Sequence, residues 1–227
     1  MIEACVFDAY GTLFDVGAAA RRAAAEPGAE SWAARWPRIA ADWRRKQLEY
    51  SWLRAIQGAH CDFWQVTQDG LDWALEAAGL DDPALRARLL ALYWALEAFP
   101  EVPAMLSALA ARGQRRAILS NGSPGMLEGA VRSAGLSGQF EALLSVESVG
   151  VFKPARAVYD LVAATLDLPP GRVLFVSSNG WDAAAAAAYG FVTAWVNRDG
   201  APMDRLPGRP AHVLRDLGAL PDLVAGL

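Results

Sequence analysis

The stretch Ala4-Cys5-Val6-Phe7-Asp8-Ala9-Tyr10-Gly11-Thr12 decides the fold. Four mainly apolar residues run straight into an aspartate and a glycine turn, the pattern of a short strand buried on both faces. Three further runs repeat it: Arg116-Ala117-Ile118-Leu119-Ser120-Asn121-Gly122, Leu143-Leu144-Ser145-Val146, and Val173-Leu174-Phe175-Val176-Ser177-Ser178-Asn179-Gly180. Val192-Thr193-Ala194-Trp195-Val196 is a weaker fifth. Alanine-rich helical stretches separate them, near 105–112, 126–134, 157–166 and 182–189. Strands alternating with helices of this length predict an α/β protein with a doubly wound parallel sheet. Ligands of such sheets bind beyond the carboxyl ends of the strands, where the polar clusters just quoted fall.

Residues 15–96 break the alternation. They contain no strand-like run and read as helices punctuated by Pro27-Gly28, Gly58, Gly79 and Pro83. We therefore expect two parts, a core of residues 1–14 and 97–227 and an all-helical insertion of residues 15–96. Seven of the nine tryptophans lie in the insertion: Trp32, Trp36, Trp43, Trp52, Trp64, Trp73 and Trp94. Their first expected place is the packing between helices, with pocket lining or a subunit interface as the alternatives. The cations Arg44, Arg45 and Lys46 are adjacent, so they cannot all point the same way from a helix.

Composition narrows the function. At 227 residues, 54% hydrophobic and 20% charged, the chain can bury a sizeable core. A net charge of −4 lacks the basic excess of a nucleic-acid binder. No uncharged apolar run is long enough to span a membrane, and no cationic leader precedes Asp8. Cys5 and Cys61 form no CxxC pair and read as thiols in a reducing compartment. A cytoplasmic location is the expectation.

Histidine chemistry has little to work with. His60 and His212 are the only two, neither lies at a strand end in this reading, and both read as structural. Gly122-Ser123-Pro124-Gly125 has the wrong spacing for a nucleophile elbow. No P-loop, GxGxxG or HExxH occurs. Carboxylate chemistry remains. Asp8 alone reads first as a turn or cap aspartate, with a nucleophile oriented by the turn that follows as the alternative. Thr12 can hydrogen-bond it. Lys153 lies just past a strand and, if near Asp8, would keep that carboxylate ionised against a second acid, Asp182. Ser120, Asn121, Ser177 and Asn179 place short polar groups at two more strand ends.

This ordered set resembles the haloacid dehalogenase superfamily over nearly the whole chain. Residues 7–16, Phe-Asp-Ala-Tyr-Gly-Thr-Leu-Phe-Asp-Val, look like the opening motif of its L-2-haloacid dehalogenases. So do Gln47-Leu48-Glu49-Tyr50-Ser51-Trp52-Leu53-Arg54, Leu119-Ser120-Asn121-Gly122-Ser123-Pro124 and Phe175-Val176-Ser177-Ser178-Asn179-Gly180-Trp181-Asp182. The superfamily's phosphatases carry an aspartate two residues after the nucleophile to protonate an alkoxide. Tyr10 occupies that place here. Their last motif carries a further acid where this chain has Ser178. A departing halide is a weak base and needs no such proton, so Mg²⁺-dependent phosphatase activity and a non-catalytic interaction module are the lesser alternatives.

The resemblance implies a Rossmann-like core, a helical cap, a homodimer and no cofactor or metal. It implies that Asp8 displaces halide from C2 of a 2-haloacid, forming an ester that water then hydrolyses. Lys153 would hold Asp8 ionised, while Ser177, Asn179 and Asp182 would position Lys153 and the water. Ser120 would bind the substrate carboxylate, with Tyr159 anchoring the carboxylate network. Arg44 and Asn121 would cradle the halide, with Arg45 the alternative to Arg44. Tyr10, Leu48, Phe63 and Trp181 would wall the alkyl group.

Overall fold

The computed structural model describes residues 1–227. Six parallel strands form one sheet: β1 (Ala4–Phe7), β2 (Arg115–Ser120), β3 (Ala142–Ser145), β4 (Val173–Ser177), β5 (Val192–Val196) and β6 (His212–Leu214). Their spatial order is β3-β2-β1-β4-β5-β6. β1 is central, with Phe7 registered against Ile118 on one side and Val176 on the other. All four β1 side chains are buried, which explains why the run shows no polar alternation. Each large apolar side chain so buried contributes about 1.5–3 kcal/mol.

Between β1 and α5 (Val102–Ala111) lie α1 (Ala18–Ala24), α2 (Trp36–Gln57), α3 (Phe63–Ala77) and α4 (Pro83–Trp94). The breaks follow local chemistry. Gly58 closes α2 in the left-handed region at φ 65°, which other residues adopt only with strain. Asp62 accepts from the Gln65 N–H to start α3. Asp82 accepts from the Ala84 and Leu85 N–H groups, and Pro83 opens α4. The sheet is flanked by α5, α6 (Pro124–Ser133), α7 (Arg156–Leu166), α8 (Gly180–Tyr189) and α9 (Leu220–Ala225). No helix is long and apolar enough to cross a membrane.

Two sequence expectations change. His212 opens β6, a three-residue edge strand that the flanking Pro210 and its brevity concealed. Only Trp32 and Trp43 of the seven insertion tryptophans are buried. Trp43 donates its indole N–H to the Thr67 carbonyl, joining α2 to α3. Trp73 instead lies beneath Arg45 and Lys46, and Trp64 meets Trp94 edge-on at the surface. Of the two thiols, Cys5 is fully buried and Cys61 half-buried. Burial pushes the Cys5 thiol up to about 12.

The strand order reverses where β4 takes the side of β1 opposite β2. That switch point opens the crevice in which the loops after β1, β2 and β4 meet. Backbone and ring approach closely there. A Cβ on Gly122 would lie 2.7 Å from Tyr10 Cε2. Tyr10 cannot yield, because its ring is stacked on Tyr93 and packed by Phe14 and Phe63. Gly122→Ala should therefore cost about 1–3 kcal/mol of stability, read as a lower urea midpoint at unchanged slope.

Candidate active site

Asp8 directly follows β1 and is almost wholly buried. Its Oδ2 accepts from Thr12 Oγ1 at 2.8 Å and from Asn179 Nδ2 at 3.0 Å. Its Oδ1 accepts from Lys153 Nζ at 3.1 Å. All three partners can donate to it. The turn is held from outside: Thr12 Oγ1 accepts from the Ser178 N–H at 2.8 Å, and Arg198 donates to the Thr12 carbonyl at 3.1 Å.

Lys153 is 1% exposed. Its ammonium bridges Asp8 Oδ1 and Asp182 Oδ2, the latter at 2.9 Å, and lies 5.0 Å from the centre of the Phe175 ring. Its backbone N–H is fixed by Asn121 Oδ1 at 2.9 Å. Burial opposes the charge on Lys153, but Asp182 and Asp8 outweigh it and raise the ammonium above the ordinary lysine range. Asp182 sits in the first turn of α8, where the helix dipole favours an anion. Tyr159 donates to its Oδ1 at 2.8 Å, so both of its oxygens accept. Burial, followed by the nearby Asp182, pushes the Tyr159 phenol far above its ordinary value, and it keeps its proton.

The insertion supplies Arg44. From α2 it donates through Nη2 to the Tyr10 carbonyl and to Asn179 Oδ1, each at 3.1 Å. Arg45, the alternative, points away to Asp42 and Glu49. Leu48 lies one turn beyond Arg44 and is half-buried. Tyr10, Phe63 and Phe152 form a continuous aromatic wall, with ring centres 6.2 and 6.0 Å apart. Burial, then Tyr93 and Asp8, push the Tyr10 phenol well up, so Tyr10 is a neutral phenol. Trp181 packs edge-on against Trp52 at 5.3 Å and shares an apolar groove of about 520 Å³ with Phe152.

Two placements differ from the sequence reading. Ser177 does not touch Lys153; its Oγ accepts from the Asn179 N–H and shapes that turn. Asn179 bonds Asp8 rather than Lys153, leaving Asp182 alone of the three on the lysine. Asn121 spends its carbonyl oxygen on the Lys153 backbone, so only its NH₂ end is left to donate elsewhere. Ser120 is buried and accepts from the Gly122 N–H at 3.0 Å.

Sequence reasoning missed Tyr93, Gln47 and Arg198. Tyr93 stacks on Tyr10 at 5.7 Å and donates to Gln47, whose amide in turn donates to Thr67. Nothing in a helical pattern marks this buried polar seam. Arg198 was findable, since it follows β5 as the other site groups follow their strands. Its guanidinium lies 3.7 Å from the centre of the Phe99 ring and pairs with Glu101 at 2.6 Å.

A haloacid dehalogenase-like hydrolase family model matches residues 2–190. (S)-2-haloacid dehalogenase 1 of Pseudomonas sp. (strain CBS-3) is 42% identical over 227 residues, covering 100% of this chain and 98% of that one. The chain belongs to the L-2-haloacid dehalogenase family. An (S)-2-haloacid dehalogenase of Xanthobacter autotrophicus is 45% identical over 199 residues, 87% of this chain and 76% of its own. A solved L-2-haloacid dehalogenase of that organism with chloropropionic acid covalently bound superposes with a TM-score of 0.88. It is 40% identical and the match covers 100% of both chains.

The lysine bridge makes a pH-dependent prediction. Lys153→Met leaves two buried carboxylates facing each other and should cost about 3–5 kcal/mol at neutral pH. Without the cation, burial and Asp8 raise Asp182, and only the Tyr159 hydrogen bond still lowers it. A raised carboxyl binds its proton more tightly folded than unfolded, so the deficit should shrink as pH falls toward its folded-state value. Urea titrations of both proteins across pH 4–8 check the sign (about 4 being the ordinary aspartate value).

Proposed function

We propose that this protein hydrolyses the carbon–halogen bond of short L-2-haloalkanoic acids, giving D-2-hydroxy acids through an ester on Asp8. The observation that carries the reading is the buried Asp8 carboxylate, which meets Lys153, Thr12 and Asn179 and no acid on its own turn. In the first step an Asp8 oxygen attacks C2 from the side opposite the halogen. The new C–O bond forms as the C–halogen bond breaks, and the halide leaves with the bonding pair. No proton is required, which suits a neutral Tyr10 where a general acid would otherwise stand.

In the second step water attacks Cγ of the ester. Charge builds on the ester's carbonyl oxygen, and Oδ2 already faces two donors, Thr12 and Asn179. Such preorganised donors are the main source of stabilisation for this kind of oxyanion. One water proton goes to the departing hydroxyl oxygen, the other to solvent, and Asp8 is regenerated. Ser120 takes the substrate carboxylate. Arg44 and the Asn121 NH₂ take the halide, and Tyr10, Leu48, Phe63 and Trp181 exclude water around the alkyl group.

Residues 15–96 act in this reading as a cap over the core of residues 1–14 and 97–227. The cap's exposed Leu53, Ile56 and Trp94 support a homodimer, and a cytoplasmic location follows the two free thiols. No cofactor or metal enters the scheme.

One turnover in ¹⁸O-water, with enzyme in excess, tests the ester. The hydroxy acid should carry ordinary oxygen and the label should appear in Asp8; label in the first product would overturn the scheme. Chloride release from L-2-chloropropionate should persist in excess chelator and disappear in Asp8→Asn.

A further inference from the structure

Glu147 has no part in the chemistry above, yet both of its carboxylate oxygens are committed to the helical insertion. It lies in a short 3-10 turn, Val146–Ser148, immediately after β3. Its Oε1 accepts from the Phe63 N–H at 3.2 Å, and its Oε2 meets His60 Nε2 at 2.9 Å. A carboxylate can only accept here, so His60 carries a proton on Nε2. Phe63 opens the 15-residue α3. Asp62 satisfies one free N–H at that end from within the insertion, and Glu147 satisfies another from the sheet. The positive end of the helix dipole favours the anion.

The attachment is rooted beside the substrate site. The Glu147 N–H donates to Ser145 Oγ at 3.2 Å, and that hydroxyl donates to the Gly122 carbonyl at 2.7 Å. Gly122 in turn donates to Ser120 Oγ. A continuous chain of bonds therefore joins Ser120 to the first residue of α3. Only two polar attachments tie α2, α3 and their connecting loop to the sheet: Arg44 at one end and Glu147 at the other. The His60 ring lies 4.7 Å from that of Phe152, the residue before Lys153. Phe63 packs between Tyr10 and Phe152 and is 1% exposed.

We propose that Glu147 is a specificity-determining positioning residue: by holding His60 and the Phe63 N–H, it fixes the Phe63 ring as the alkyl wall of the pocket. The proposal rests on the dehalogenase reading. It acts on binding of the side chain at C2, because Phe63 touches no group that makes or breaks a bond. A haloacetate has no such side chain and is indifferent to the wall. An L-2-halopropionate uses it. The hydrogen bond to charged Glu147 is worth a factor of about ten in the balance between the seated and the unseated ring, and that factor passes into binding of a substrate that needs the seated one.

Glu147→Ala is compared with the natural protein on L-2-chloropropionate and monochloroacetate, with rates divided by titrated active sites. KM for chloropropionate should rise about tenfold at nearly constant kcat, while KM for chloroacetate changes less than about twofold. Glu147→Gln keeps an oxygen for the Phe63 N–H and should recover most of the loss. His60→Phe keeps the ring beside Phe152 and should show a smaller effect of the same kind. Equal losses on both acids, or a Glu147→Gln variant as impaired as Glu147→Ala, would overturn the specificity role. Amide exchange at Phe63 needs no substrate and should quicken in Glu147→Ala. Unchanged exchange overturns the clasp itself, whereas absence of halide release from the natural protein, with exchange quickened, overturns the dehalogenase reading alone.

Discussion

An ammonium group excluded from water persists only where negative charge surrounds it, and Lys153 meets that condition by lying between Asp8 and Asp182. The arrangement is mutual. Each carboxylate is buried because the lysine is there, and the lysine is charged because both carboxylates are. Much of the architecture serves to deliver these three groups to one point: Asp8 from the central strand, Lys153 from the loop after β3, and Asp182 from the first turn of α8. Tyr159 fills the last acceptor of Asp182, so the triad closes without an unpaired polar atom on either acid.

Delivery depends on the sheet. With β1 between β2 and β4, the loops after these strands face one crevice, and each contributes a short polar side chain rather than a long one. Short side chains reach only their neighbours, which keeps the donors on Asp8 rigid. Two arginines, Arg44 and Arg198, arrive from outside and bind backbone carbonyls of the same turn, at Tyr10 and Thr12. The turn after Asp8 is therefore gripped from two sides, which fixes the direction in which its carboxylate points.

This division explains what was legible in the sequence. Strand ends announce themselves, because a buried parallel strand is an unbroken apolar run and its polar continuation points into the crevice. Asp8, Ser120, Asn121, Lys153, Asn179 and Asp182 could all be located in that way. Contacts that depend on three-dimensional closure could not. Ser177 and Asn179 look equivalent in the sequence, yet one shapes a turn and the other reaches Asp8. The tryptophans misled because an amphipathic ring suits a surface beneath a cation as well as a core, as Trp73 shows under Arg45 and Lys46. β6 escaped because an edge strand of three residues buries too little to leave a pattern.

The aromatic wall carries the argument from packing to selectivity. Tyr10 is stacked on Tyr93, whose hydroxyl is tied through Gln47 to Thr67 in the interior of the insertion. Phe63 begins the helix that holds Thr67, and Phe152 leads directly into Lys153. Rings contributed by the β1 turn, by the insertion and by the loop after β3 are thus in one contact series, and a displacement of any of them is felt by the others. Close-packed interiors shift between discrete arrangements rather than deforming continuously. The dimensions of the pocket are consequently set by how the insertion seats on the sheet, not by any single lining residue. A chain can therefore keep every group on Asp8 and still change the shape of the space beside it.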